Sequence, residues 1–253
     1  MKPFILSETT WKTVKDQDIE LAVLPWGATE AHNYHLPFDT DNIMVEKIAA
    51  ESARLAWDAG TRLIVLPAIP FGVNTGQMDV RLNINLNPST QFAILNDVID
   101  VLNRHGIYKF LILNGHGGND FRQMIRELGI RYPKMFICTC NWYQSCDQSG
   151  YFENGGGHAD EMETSVMQFL APESVLPLSE AGAGKGKKFK ISALNEKWAW
   201  AERKWTQVTS DTGIGNPSKA TPEKGEMYFK AVTEKIADLL IELSESDINS
   251  MYE

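Results

Sequence analysis

The sequence has few cysteines, and their arrangement argues against a disulfide-stabilised fold. Three occur in 253 residues, at Cys138, Cys140 and Cys146. The odd number matches no disulfide framework, and the cysteine pairs of zinc sites recur at spacings of about two to four residues. Free thiols in a reducing compartment fit this composition best.

Positive charge and long apolar runs are also scarce. Lysine and arginine number 24 against 33 aspartates and glutamates, which gives a net charge of -9. Nucleic acid and anionic membranes require clustered basic surface, so we expect neither as a partner. No stretch approaches the roughly 18 apolar residues of a membrane span, and the apolar run near the amino end is too short for a secretory signal. These absences predict a soluble, cytoplasmic protein.

Apolar residues are nevertheless numerous, and their pattern predicts an α/β fold. At 43% of the chain they suffice for a full core, and we expect one domain over residues 1–253. Short strand-like runs alternate with longer segments of helical periodicity. The runs cover residues 19–25, 62–67, 107–113 and 135–141. Such alternation predicts a largely parallel sheet with helices on both faces.

The loop that follows the first predicted strand, residues 24–41, concentrates carboxylates and imidazoles. Glu30 and His32 lie two positions apart, so on an extended segment their side chains point the same way. Asp41 lies near the start of the next predicted helix, where the helix dipole favours an anion. Carboxylate and imidazole are ligands of divalent transition metals, which indicates half of a metal site. In the alternative interpretation Asp39 or Asp41 only caps the helix and the histidines are polar loop residues.

Two further clusters contain histidine. His116 lies in NGHGGN after the third predicted strand, and His158 lies in GGGHADEMETS. If His158 opens a helix, Glu161 is at i+3 on the same face, whereas Glu163 points elsewhere. An acidic first turn favoured by the helix dipole is the alternative. The glycine-rich turn at His116 lacks the dinucleotide fingerprint and the P-loop lysine, so phosphate binding ranks below metal binding.

Two segments are less regular. Residues 80–86 alternate apolar and polar side chains, and this pattern predicts an edge strand, which we place at the rim of the site. Trp198, Trp200 and Trp205 cluster within a long irregular segment. Such an aromatic cluster fits a lid, a subunit contact or core packing.

The three histidine clusters together resemble the creatininase (creatinine amidohydrolase) family. That family has the blocks G-x-x-E-x-H-x-x-H-L-P-x-x-T-D, N-G-H-G-G-N and H-A-x-E-x-E-T-S, which correspond here to residues 27–41, 114–119 and 158–165. The closing GNPSKATPEKGE is also similar, so the resemblance covers nearly the whole chain. It implies a three-layer α/β/α sandwich with a two-metal hydrolytic site.

The resemblance also implies a ligand set. Glu30, Asp41 and His116 would hold one metal, and His32 and Asp41 the other, so that Asp41 bridges the pair. Zinc is expected first, while manganese and iron also accept this mixture of nitrogen and oxygen donors.

One ligand of the family pattern is missing from this chain. In creatininase proper the second metal takes a glutamate two residues after the NGH histidine, and here that position is Gly118. Glu161 is expected to supply the carboxylate, both as ligand and as catalytic residue. Glu163 is expected to contact the ligands or stabilise the fold without binding metal. His158 would orient the substrate or shuttle a proton to the leaving nitrogen. His35 matches a family histidine and is expected beside the ligands rather than among them.

The activity implied is hydrolysis of a carbon-nitrogen bond other than an ordinary peptide bond, by a metal-activated water. The substrate would be a small cyclic amide or formamide, and the family forms homo-oligomers, often hexamers. Residues 78–85 depart from the family's H-x-x-F-P-G-T stretch. That departure keeps a second hypothesis open, a metal-containing binding or regulatory protein without catalysis. A two-metal phosphoester hydrolase ranks third, because no basic phosphate clamp lies near the motifs.

Overall fold

The computed structural model describes residues 2–252, and its centre is a sheet of four parallel strands in the order β2-β1-β3-β4. The strands are β1 (Leu21–Trp26), β2 (Leu63–Val65), β3 (Lys109–Asn114) and β4 (Phe136–Asn141). Each coincides with one of the predicted runs, shifted by a few residues at its ends. The predicted parallel α/β sheet is confirmed.

The helices that follow the strands are long, and those in the irregular parts of the chain are single turns. In residues 2–252 the α-helices are α1 (Trp11–Val14), α2 (Thr40–Asp58), α3 (Pro88–Arg104), α4 (Arg122–Arg131), α5 (Glu161–Leu170), α6 (Ser192–Asn195), α7 (Trp205–Val208) and α8 (Pro222–Glu245). None of these helices has the length and apolar character needed to cross a membrane.

The sheet separates two apolar cores. Side chains alternate across β1, so that Leu21 and Val23 face one side while Ala22 and Leu24 face the other. The first side is covered by α2, α5 and α8, and the second by α3 and α4. The result is the three-layer α/β/α arrangement that the alternation and the resemblance both predict.

Strand order places the loops after β1 and β3 beside each other. The chain leaves β1 through α2 to reach β2 at one edge, and returns through α3 to place β3 on the other flank of β1. Such a reversal of strand order opens a crevice at the carboxyl ends of the strands, where α/β proteins bind ligands. The loops with Glu30 and His116 leave β1 and β3 at this edge.

The predicted edge strand over residues 80–86 is wrong. A 3-10 turn, Thr75–Gln77, precedes the segment, and the segment itself contains a bend, a turn and two isolated bridges, which join Ile84 to Thr29 and Asn85 to Gly72. Leu82 has a left-handed backbone, with φ of 68°, so the alternating pattern cannot extend as a strand. Its predicted position at the rim of the site is correct, because the bridge to Thr29 places it against the loop after β1.

Candidate metal centre

The loop after β1 turns its charged side chains into the protein. Glu30 and His32 are buried, and the backbone N–H of Glu30 donates to the carbonyl of Phe38, which closes the loop. Asp41 lies in the first turn of α2, as predicted. The amino end of α2 comes so near β1 that a Cβ on Gly27 would lie 2.1 Å from the Asn42 Oδ1 atom. A side chain at position 27 would therefore have to displace the Asn42 amide.

His116 reaches the same place from the end of β3. Its Nδ1 atom lies 2.9 Å from Oε1 of Glu30 and 3.1 Å from Oδ2 of Asp41. A Cβ on Gly118 would lie 2.3 Å from the Val73 carbonyl oxygen and 2.4 Å from Nε2 of His116. The backbone therefore has no room for a glutamate at position 118, and the carboxylate must come from elsewhere.

Glu163 brings a carboxylate to this place, so the expectation that it points elsewhere is wrong. Its Oε2 atom lies 3.8 Å from Nε2 of His32, and Nε2 lies 3.3 Å from Oδ1 of Asp41. Three groups of side chains in residues 2–252 are arranged so that they could hold a metal ion. They are Glu30 with Asp41 and His116, His32 with Asp41 and Glu163, and Glu30 with His32 and His158.

Glu161, which the sequence places among the ligands, points away from them. Helix α5 begins at Glu161, and its N-cap is Asp160, whose side chain accepts the N–H groups of Met162 and Glu163. The expectation that His158 opens this helix is wrong, because Ala159 has a left-handed φ of 51° and the chain turns before the helix. The i, i+3 relation therefore does not apply to His158 and Glu161.

The carboxylate of Glu161 is instead held by other partners. Oε1 accepts a hydrogen bond from Nζ of Lys224 at 2.6 Å. Oε2 accepts the backbone N–H groups of Glu153 and Asn154 at 3.1 and 2.8 Å. This carboxylate ties α5 to α8 and to the loop before His158. The structure does not bring it to the cluster.

Each clustered histidine uses one ring nitrogen to contact a backbone carbonyl. His32 contacts the carbonyl of Glu30 through Nδ1 at 3.1 Å, His116 that of Val73 through Nε2 at 3.0 Å, and His158 that of Ala31 through Nε2 at 2.9 Å. A carbonyl only accepts, so these nitrogens carry hydrogen.

The opposite ring nitrogens consequently face the carboxylates with a lone pair, unless the rings are protonated. Acceptors that face acceptors require a cation between them. No described residue hydrogen-bonds to Nε2 of His32, although this atom is buried. Anchored imidazoles with a free nitrogen aimed at carboxylates are typical of metal ligands, so these residues fit divalent cations.

Without metal, protons would have to balance the buried charge. Burial lowers the pKa of His32, but Asp41, Glu163 and Glu30 outweigh it and raise that pKa to about 10. Burial raises the pKa of Glu163 to about 8. Burial also acts to raise the pKa of Asp41, but the facing imidazoles of His32 and His116 hold it well below its usual range.

The remaining predicted residues lie around the cluster. The His158 ring stacks 4.2 Å from the His32 ring and receives Trp205 edge-on at 4.7 Å. Trp205 thus lies at the site, whereas Trp198 and Trp200 are exposed. His35 is buried behind the cluster, where Nε2 lies 2.9 Å from the Thr164 hydroxyl.

Comparison with known proteins identifies the family. The creatinine amidohydrolase family model matches residues 7–240. The chain belongs to the creatininase family. As a member of this family it is an amidohydrolase, and the three motif blocks lie within the matched range.

One solved structure and several curated proteins are similar to this chain over most of its length. A candidate creatinine amidohydrolase from Bacteroides fragilis NCTC 9343 is 46% identical, with a TM-score of 0.93 over 100% of both chains. The mycofactocin precursor peptide peptidase of Mycobacterium tuberculosis is 26% identical over 225 residues, 84% of this chain and 81% of that protein. The creatinine amidohydrolase of Pseudomonas putida is 26% identical over 199 residues, 69% of this chain and 74% of that protein.

We expect Glu161→Gln to lower the free energy of unfolding while metal content stays that of the parent. The substitution removes the charge that holds Lys224, and a hydrogen bond to a charged group contributes about 1.5–3 kcal/mol, at the lower end where it is only partly buried. Denaturant unfolding and elemental analysis of the same preparation measure both effects. Loss of metal at unchanged stability would return Glu161 to the ligand set.

In metal-free protein we expect stability to fall as pH rises from neutral. His32 has a pKa of about 10 when folded and 6.5 as the reference value, so its stabilising contribution is complete below 6.5 and is lost as pH rises through about 10. The raised pKa values of Glu163 and His116 act in the same direction. Denaturant unfolding with a chelator present measures how the free energy of unfolding depends on pH. His32→Asn should make this dependence weaker. If the free energy of unfolding of the metal-free protein increased as pH rose above neutral, the raised pKa of His32 would be contradicted.

Proposed function

We propose that this creatininase-family protein is a two-metal amidohydrolase. One divalent cation would be held by Glu30, Asp41 and His116, and the other by His32, Asp41 and Glu163. The observation that carries this proposal is the orientation of Asp41. Its Oδ2 atom faces His116 at 3.1 Å, while its Oδ1 atom faces His32 at 3.3 Å. A carboxylate whose two oxygens serve two separate groups is the arrangement that a bridging ligand requires.

When bound, such cations lower the pKa of a coordinated water and polarise the oxygen of a carbonyl. The donor set of two imidazoles and three carboxylates suits zinc, and manganese and iron accept it too. Zinc is our first choice because it combines nitrogen and carboxylate ligands in hydrolytic sites.

His158 is positioned to carry a proton during the reaction. The contact from Nε2 to the Ala31 carbonyl leaves Nδ1 directed at Glu30, 3.7 Å from Oε1. Burial and the neighbouring His32 charge lower the pKa of His158 to about 4, so the ring is neutral at pH 7. A neutral imidazole could accept at Nδ1 the proton that the attacking water loses and deliver it to the leaving nitrogen of the amide.

The enclosure of the site favours a small substrate. Each residue of the proposed site is at most 8% exposed. The 205–214 segment covers the cluster. Ile214 forms an antiparallel bridge with His158, and Trp205 packs on the His158 ring. A small cyclic amide or a formamide needs less opening of this cover than a peptide does. The named relatives include enzymes for both kinds of substrate, a creatinine amidohydrolase and a peptide peptidase.

A substrate panel tests this proposal. Protein stripped with a chelator is reconstituted with zinc, manganese or iron and assayed on cyclic amides, formamides, short peptides and a phosphate monoester. We expect metal-dependent hydrolysis of a non-peptide amide and none by the stripped protein. Turnover of the phosphate monoester alone would favour the phosphoester hydrolase. Full metal content without any turnover would favour the non-catalytic binding protein.

A further inference from the structure

A buried glutamine from outside the three motif blocks contacts the proposed metal centre. Gln77 ends the 3-10 turn Thr75–Gln77 and is 3% exposed. Its Nε2 atom donates a hydrogen bond to Oε2 of Glu30. The 74–85 segment therefore packs its own polar side chain directly against a proposed ligand.

A second side chain fixes the orientation of the Gln77 amide. Asn83 donates from Nδ2 to Oε1 of Gln77 at 2.5 Å, and its Oδ1 accepts the backbone N–H of Ala31 at 2.8 Å. The Ala31 N–H can only donate, so the Asn83 amide has one possible orientation, and so does the Gln77 amide beyond it. The NH2 group of Gln77 must then face Glu30. The left-handed backbone of Leu82 and the bridge from Ile84 to Thr29 hold Asn83 in place for this chain of hydrogen bonds.

The consequence for Glu30 is that its two oxygens have separate partners. Oε2 is engaged by Gln77, while Oε1 lies 2.9 Å from Nδ1 of His116 and 3.7 Å from Nδ1 of His158. We propose that Gln77 is a positioning residue, which holds Glu30 so that Oε1 alone is offered to a metal. This inference rests on the proposed function, because it presumes that Glu30 is a ligand.

One member of this hydrogen-bond chain, Asn83, lies in the segment that departs from the family's H-x-x-F-P-G-T stretch. Residues 78–85 contain no histidine, and their Asn83 links the Ala31 backbone to Gln77. The departure therefore leaves Glu30 supported by a relay of two neutral amides. Partners that orient a ligand in this way typically change metal affinity by about 10- to 100-fold when removed.

Gln77→Met tests the inference, with Asn74→Leu as its matched control. Methionine keeps the length of glutamine and removes the amide. Asn74 is in the same segment and also 3% exposed, but its amide donates to the Ile84 carbonyl rather than to a ligand. Zn²⁺ affinity is measured by competition with a chelating dye, and the free energy of unfolding of the stripped proteins by denaturant. If Gln77→Met does not fold, Gln77→Asn retains an amide that is one methylene too short to reach Glu30.

We expect the Gln77 variant to bind one of its Zn²⁺ ions about 10- to 100-fold more weakly than the parent, and Asn74→Leu to retain parental affinity. Parental affinity in the Gln77 variant would overturn the positioning role and leave the two-metal proposal intact. Equal weakening in both variants would also overturn it, since the cause would then be the folding of the segment. A parent that binds none of Zn²⁺, Mn²⁺ and Fe²⁺ would overturn the proposed function and this inference together.

Discussion

Asp41→Asn should release both metal ions and lower amide turnover by about three orders of magnitude or more, which corresponds to about 4 kcal/mol of transition-state stabilisation. Asp41 faces His116 and His32 with different oxygens, so one substitution weakens both proposed sites at once. Asparagine keeps the size of the side chain but not its charge, and so preserves the start of α2. Elemental analysis and a steady-state assay of the same preparation measure the two effects.

The control for this experiment is Asp39→Asn. Asp39 is the N-cap residue of α2, two positions before Asp41, and is exposed. It shares the local helix dipole with Asp41 but lies outside the cluster. Metal content and turnover should be those of the parent. If Asp41→Asn retains its metals and loses only stability, Asp41 serves only the first turn of α2 and the two-metal proposal fails.

His158→Ala should lower turnover by about 10²- to 10⁴-fold while metal content remains unchanged, because a positioned acid-base group contributes about that factor. The loss should fall on kcat, since the ring serves proton transfer at Nδ1. His105→Ala is the matched control, because His105 is exposed at the end of α3.

The opposite result for His158 has a definite meaning. His158 belongs to the group that joins Glu30 and His32, so its Nδ1 atom lies within reach of a shared cation. If His158→Ala loses a metal ion together with activity, His158 is a ligand, and its role as a proton carrier is withdrawn. Elemental analysis before the assay separates these outcomes.

The sheet and half of the site were predictable from the sequence because local signals determine both. Apolar runs of strand length alternate with helical periods, and this alternation fixes a parallel sheet. The carboxyl ends of parallel strands share one edge, so polar residues directly after β1 and β3 must meet. This rule brings together Glu30, Asp41 and His116. The short distances from Nδ1 of His116 to the two carboxylates agree with it.

Glu161 shows where local reasoning stops. Whether Glu161 or Glu163 faces the cluster depends on the residue at which α5 begins, and the first turn is acidic in either case. Asp160 as N-cap was the available signal, because a side chain that caps the amino end defines the first helical residue. Gln77 and Trp205 carry no such signal. They lie in irregular segments and reach the site only through tertiary packing.

Elemental analysis of the parent beside Glu163→Gln tests the central claim most directly. A two-metal site in which Glu163 serves only the second ion predicts about two metals per chain in the parent and about one in the variant. The retained metal should be the one bound by Glu30, Asp41 and His116. Equal metal content in parent and variant, or a parent without metal after reconstitution with zinc, manganese and iron, would contradict the account.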